Sequence, residues 1–310
     1  MIIIHKNTEN GLVHLNEPVN GSWIQVQDPT QRDLIDLAAL DIPQDFITPA
    51  LDVDERSRTE REDNGAILIL LRLPFFQGAK MDLPYSTQPL GIILTEKYLI
   101  TVSKGNIEIL DEFASGKAKG LSTAKRNRFV LRILLHIANK YLYYLREINK
   151  IVEKLEDQIQ LSLRNKEVLE LLKYQKSLVY FTTALKANEL VLERLQRTQL
   201  FKMYPEDEDL LEDVITENQQ AIEMVNISSS ILTSMMDAFG SIISNNLNVV
   251  LKFLTSVTIV LSIPTIVTSF FGMNANLPFL DRPLGTTFVA AIFLLIAGVV
   301  VYLFMRRDWF

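Results

Sequence analysis

The chain has 310 residues and no cysteine, which excludes disulfides, zinc–thiolate centres and a cysteine nucleophile. Its three histidines, His5, His14 and His136, are scattered and make no ligand spacing, so a histidine metal site is not expected. A net charge of −6 argues against a nucleic-acid partner, and much of the 48% hydrophobic content gathers at the C-terminal end.

The opening "MIIIHKNTEN" is too short and too soon interrupted by polar residues for a signal peptide. Residues 1–120 read as a mixed α/β domain. "SWIQVQ" alternates like a short strand, and "DPTQRDLIDLAAL" reads as a helix capped by Asp28 or Thr30. "GAILILLRLPF" is a buried-strand run, and "LGIILTEKYLITVSK" is a hairpin that turns at "TEK". The "GKAKG" at 116–120 marks the boundary to residues 121–205, where the periodicity turns helical. One long helix is expected from Lys125 to about Leu163 and a second from Asn165 to about Leu200.

In "YPEDEDLLEDV", Pro205 suits the first turn of a helix and the acids behind it complement the positive helix end. From there one helix is expected to run from 206 to 271, with 206–250 as a stalk and 251–271 as a first membrane span. Phe253 to Phe271 is a charge-free run of 19 residues, and Thr286 to Met305 is a second of 20. Each suits a spanning helix, which needs ~20 apolar residues. Lys252 precedes the first, and Arg306 and Arg307, in the short tail 306–310, follow the second. Positive flanks stay in the cytoplasm, so both termini are expected inside and the loop 272–285 outside. The expected location is the cell (inner) membrane.

The long helix carries two stripes. Leu211, Val214, Asn218, Ala221, Val225, Ser228, Leu232, Met235, Phe239, Ile242, Asn246, Val249 and Phe253 follow an alternating three–four spacing and predict packing on another helix. Ser234, Asp237, Ser241, Ser244, Asn248, Leu251, Thr255, Thr258, Ser262, Thr265 and Ser269 form the second stripe, in which ten of eleven residues are small or polar. Hydroxyls inside a span also bond their own backbone or mark helix contacts. A continuous polar line leading to "GMN" is nevertheless what a water-filled conduit needs, while Phe253, Val257, Val260, Leu261 and Val267 would face lipid. One hairpin cannot enclose a pore, so several copies must gather around an axis. Between Met203 and Leu251 there are nine acids and no Lys or Arg, a field that attracts cations when repeated around that axis. No nucleophile–base constellation and no Gly-rich nucleotide motif is present, so neither an enzyme nor an organic cofactor is expected.

"FFGMN" between two C-terminal spans resembles the CorA family of divalent-cation channels, as does the upstream "NVVLKFLTSVTIVLSIPTIVTS". "PTQRDLIDLAALDIPQDFITPALDVDERSRTE" and "GIILTEKYLITV" look like that family's cytoplasmic domain, so the resemblance covers nearly the whole chain. It implies an α/β N-terminal cytoplasmic domain, a long helical stalk and two C-terminal transmembrane helices, assembled as a homopentameric, funnel-shaped channel for Mg²⁺ and Co²⁺. It implies a selectivity filter at Gly272, Met273 and Asn274, with Asn274 as the outer ring. Pore positions at Asp237, Asn248, Leu251, Leu254, Ser262, Thr265 and Ser269 follow, to which the polar stripe adds Thr255 and Thr258. It also implies closure by cytosolic Mg²⁺, with Asp213, Glu212 and Asp207 or Asp209 as candidate ligands.

The chemistry suits these assignments. Mg²⁺ sheds water reluctantly, so a ring of Asn274 amide oxygens would accept hydrogen bonds from its water shell. Gly272 is expected to end the helix in a backbone conformation that other residues resist. Leu251 and Leu254 are candidates for a constriction that gates by dewetting. In "ANLPFLDR" no acid precedes Asp281, and Arg282 cancels it, so the mouth should concentrate cations only weakly. A Zn²⁺ transporter of the same superfamily fits the same pattern. A receptor or scaffold anchored by the hairpin explains the spans but leaves the polar stripe without a purpose.

Overall fold

The computed structural model describes residues 1–8, 11–115, 122–161, 165–198, 204–272 and 285–307. They form two compact units, residues 1–235 and 236–310. The first is built on a seven-stranded sheet in the order β2-β1-β3-β7-β6-β5-β4. Its strands are β1 (Ile2–Thr8), β2 (Gly11–Leu15), β3 (Ser22–Gln27), β4 (Arg58–Arg61), β5 (Ile67–Phe76), β6 (Tyr85–Leu94) and β7 (Tyr98–Ser103). Only β3 and β7 pair in parallel. "SWIQVQ", "GAILILLRLPF" and the "TEK" hairpin lie where their patterns predict. β1, β2 and β4 do not stand out in the sequence, because polar residues fill "HKNT" and "RTER" and hide any alternation.

The central strands are apolar on both sides because both faces of the sheet are covered. Over one face lie α1 (Gln31–Ala38), α2 (Gln44–Ile47) and the 3₁₀ turn Thr48–Leu51. Leu37, Phe46, Ile47 and Ala50 there join Ile24, Leu68, Leu70, Ile93 and Val102 in one core. Thr30, not Asp28, caps α1: it and Asp33 form a reciprocal capping box. The backbone hydrogen bond from Thr30 is the main reason the Asp33 carboxyl sits below its ordinary pKa. Gly91 on β6 is required by close approach, since a Cβ there would lie 2.7 Å from the Ala50 Cβ.

The other face packs on α3 (Glu108–Ala114), α4 (Arg126–Leu161) and α5 (Asn165–Thr198), with the Trp23 and Phe129 rings 5.1 Å apart. Hydrogen bonds tie this layer to the sheet at Tyr85, whose N–H donates to Ser177 of α5 at 3.3 Å, at Thr59, whose carbonyl accepts from Arg194 of α5 at 3.0 Å, and at Arg72. β4 pairs with β5 only as far as Leu70, which leaves the outer edge of Arg72 without a strand. The buried Asn188 of α5 replaces the missing neighbour: its amide donates to the Arg72 carbonyl at 2.8 Å and its oxygen accepts from the Arg72 N–H at 3.0 Å. Tyr141 of α4 donates to the same carbonyl at 3.0 Å.

Helix α6 (Pro205–Phe271) is continuous for 67 residues. The boundary expected at 116–120 lies outside the described residues. Of the thirteen positions predicted to pack, the nine from Leu211 to Phe239 are buried and the four from Ile242 to Phe253 are exposed. The pairs Asn218–Leu185 and Gln175–Thr233 show α6 running antiparallel to α5. The window from this helix that is apolar enough to cross a membrane is almost wholly unburied. Helix α7 (Gly285–Arg306) carries a shorter apolar stretch, Ala290–Arg306.

Replacing Asn188 by leucine conserves volume but orphans the half-buried Arg72 N–H, so we expect Asn188→Leu to destabilise the first unit by about 1–3 kcal/mol. Chemical denaturation followed by far-UV circular dichroism measures this; an unchanged midpoint would mean that the amide clamp contributes nothing.

Candidate functional site

The start of α6 is built by Pro205 in its first turn and by Asp207, whose carboxylate accepts from the Tyr204 N–H at 3.3 Å. Asp207 is 2% exposed, and Arg128 Nε of α4 lies 2.6 Å from it, while Glu206 takes the same guanidinium at 2.7 Å. These carboxylates, Asp207 first, raise the Arg128 pKa above its ordinary value. Asp207, a candidate metal ligand by sequence, is thus already engaged by a cation of its own chain. Its buried carboxylate joins helix to helix, and we drop it from the candidate set. Asp209, Glu212 and Asp213 are exposed and make no ion pair among the described residues.

The polar stripe keeps its phase along α6. All eleven of its positions, from Ser234 through Asp237, Asn248, Thr255 and Thr258 to Ser269, are exposed. Ser256, Val257, Val260, Ile263, Pro264 and Val267 are the buried and half-buried positions of the same segment. Thr258 to Val260, Ser262 to Pro264 and Thr265 to Val267 are each two residues apart, a turn of ~200° about the axis. The sheltered side is therefore opposite the polar stripe. Val257, Val260 and Val267, expected to face lipid, belong to that sheltered side, whereas Phe253 and Leu261 are exposed.

The stripe's hydroxyls have a fixed polarity. Thr258 donates to the Leu254 carbonyl at 2.8 Å, Ser262 to Thr258 at 2.8 Å and Thr265 to Leu261 at 3.1 Å. Ser241 does the same to Asp237 at 3.1 Å. Each proton is turned back onto the helix, so the oxygen presents its remaining lone pair outward. Hydroxyls anchored in this way offer an acceptor on their outward side. Leu251 and Leu254 interrupt this surface with exposed apolar side chains.

At the end of α6, Gly272 continues the helical bonding, its N–H donating to the Thr268 carbonyl at 2.8 Å. It is not in the left-handed conformation expected of it. A Cβ there would lie 3.0 Å from the Thr268 oxygen, a tight approach. Met273 and Asn274 lie outside the described residues. No group of three or more metal-binding side chains occurs among the described residues of the single chain.

Residues 20–307 match the family model described as CorA-like Mg²⁺ transporter protein. The curated "Cobalt/magnesium transport protein CorA" of Methanocaldococcus jannaschii is 32% identical over 299 residues, spanning 93% of this chain and 90% of that protein. A Thermotoga maritima protein of the same name is 22% identical over 305 residues, 93% of this chain and 83% of its own. The complete structure of the CorA magnesium transporter from M. jannaschii superimposes with a TM-score of 0.87 at 28% identity, covering 100% of this chain and 99% of that one. On this match of sequence along nearly its whole length, joined to the same arrangement of sheet, long helix and C-terminal helix, the chain belongs to the CorA-like Mg²⁺ transporter family.

Proposed function

We propose that this chain forms a homopentameric channel in the cell membrane that carries Mg²⁺, and Co²⁺ with it, into the cytoplasm. The observation that carries the proposal is the exposed stripe of hydroxyls whose protons are tied to the preceding turn. A hydrated Mg²⁺ holds its water with the oxygens inward, so its outer surface consists of O–H donors. A wall that only accepts is complementary to that surface and lets the ion keep its shell. Names of the relatives, cobalt/magnesium and magnesium transport proteins, agree with this cargo.

In the proposed assembly the stripes of five copies face the axis and the sheltered sides face outward. Asn274 amides form the outer ring and Gly272 brings the turn close to the helix end. Leu251 and Leu254 supply the hydrophobic constriction. Lys252 at the start of the first span and Arg306 and Arg307 after the second keep both termini inside. Each elementary charge moved through 100 mV gains about 2.3 kcal/mol, and a divalent ion about twice that, so inward flux needs no chemical fuel.

A channel driven this way needs a brake. We place it at Asp213, with Glu212 and Asp209 beside it, because these acids are exposed and unpaired among the described residues. Mg²⁺ bridging them to a neighbouring copy would hold the stalks together at high internal Mg²⁺ and release them as it falls.

Three outcomes in proteoliposomes loaded with a Mg²⁺-sensitive dye test these roles. Thr258→Val with Thr265→Val removes two acceptors at constant shape, worth ~1 kcal/mol each, and should slow Mg²⁺ entry roughly tenfold or more. Wild-type flux from that protein would mean that the stripe does not contact the ion. Asn274→Ala should abolish selective uptake while the protein still elutes as the wild-type oligomer; intact flux and selectivity would remove Asn274 from the pore. Asp213→Ala should leave flux at low internal Mg²⁺ unchanged and weaken inhibition at high internal Mg²⁺. Unaltered inhibition would take the brake away from Asp213.

A further inference from the structure

Two of the histidines that are scattered in sequence meet in space. The β1–β2 hairpin sets His5 directly opposite His14 across an antiparallel pair. Their ring centroids are 4.7 Å apart, with planes at 51°, too steeply inclined for stacking. His5 is held on its other flank by Trp23, stacked at 4.6 Å and 24°. It is 1% exposed, whereas His14 is open to solvent.

The polarity of the His5 ring is set by Gln25. Nε2 lies 3.1 Å from the Gln25 side-chain oxygen, which can only accept, so Nε2 carries the proton. Nδ1 then holds a lone pair, and no partner satisfies it among the described residues. Leaving a buried acceptor unused costs about 1–3 kcal/mol. Burial is the main cause that lowers the His5 pKa, the Gln25 hydrogen bond opposes it, and neighbouring His14 lowers it further. The ring is accordingly a neutral base at physiological pH.

We propose that His5 and His14 form a two-imidazole site for a divalent transition-metal ion such as Cu²⁺, Zn²⁺, Ni²⁺ or Co²⁺, with water completing the coordination. Imidazoles that bind one ion through nitrogens at ~2.0–2.1 Å have ring centres about 5 Å apart, close to the separation seen here. A metal-bound histidine ordinarily donates its other N–H to an oxygen acceptor, the role Gln25 fills. Because only His14 is exposed, the ion enters from the His14 side. Imidazole nitrogen suits these metals, while Mg²⁺ prefers carboxylate, carbonyl and water oxygens. The site would thus respond to transition metals in the presence of excess Mg²⁺, and it does not depend on what the pore carries.

Cu²⁺ is the most sensitive probe, standing at the top of the divalent affinity order. The full-length protein is purified in detergent with excess Mg²⁺ to saturate oxygen sites, then titrated with Cu²⁺ and followed by electron paramagnetic resonance. We expect one Cu²⁺ per chain with hyperfine structure from two imidazole nitrogens, unchanged in His136→Ala. His14→Ala, at an exposed position that tolerates the change, should lose that signal and bind at least ~tenfold more weakly. Cu²⁺ should also raise the melting temperature of the wild type and not that of His14→Ala, since only a native-state ligand stabilises. A His14→Ala protein with the wild-type spectrum and melting shift, or a wild-type spectrum without imidazole nitrogen, overturns the site and leaves the row as packing alone.

Discussion

Helical phase, held without a break from Pro205 to Phe271, is the constraint on which the other features rest. Each residue advances ~100° around the axis, so a three–four pattern shifts by only ~20° per heptad and traces one slowly winding line along the helix. That lets one backbone carry an apolar seam toward α5 in its first half and a hydroxyl-bearing edge in its second. Pro264 sits inside this run and cannot donate to the Val260 carbonyl, yet the helix continues past it. The proline lies on the sheltered side, away from the hydroxyl edge, so any local opening of the ladder does not break the row of acceptors.

The polarity of that edge makes two readings of the sequence compatible. Serines and threonines in a span can bond their own backbone, or they can line a conduit. In α6 Ser241, Thr258, Ser262 and Thr265 do the first, and in the proposed channel that would not prevent the second. Back-bonding fixes the hydroxyl rotor and leaves an oxygen acceptor exposed, which removes the ambiguity of a free hydroxyl that donates as readily as it accepts. Leu251 and Leu254 provide the opposite property, a surface that offers nothing to water.

Much of the fold could be read from pattern alone, because burial imposes period. The seam on α6 was predictable from Leu211 to Phe239, and the "TEK" hairpin and the two long helices from their periodicity and turns. From Ile242 to Phe253 the same spacing continues at exposed positions, since spacing records that a face is apolar but not what covers it. Asp207 and Asp213 look alike in sequence, both acids near a helix start. Only the three-dimensional neighbour Arg128 separates a buried structural carboxylate from a free one. His5 and His14 were invisible to ligand spacing because the antiparallel pairing of β1 with β2, not one turn of helix, brings them together. Gly272 was expected in an unusual torsion that the structure does not give it; what sets it apart instead is the nearby Thr268 carbonyl.

The amide clamp at Arg72 has a mechanical consequence. Two helices, through Asn188 and Tyr141, grip the backbone N–H and carbonyl of Arg72 on β5, and α6 lies along one of those helices. The apolar seam and the packed sheet face spread load broadly, while this clamp, with the Tyr85–Ser177 and Thr59–Arg194 hydrogen bonds, adds fixed points of register between helix layer and sheet. Hydrogen bonds resist shear more sharply than apolar packing does, because they lose their alignment over a fraction of an ångström. In the first unit these bonds fix the register of α4 and α5 on β5.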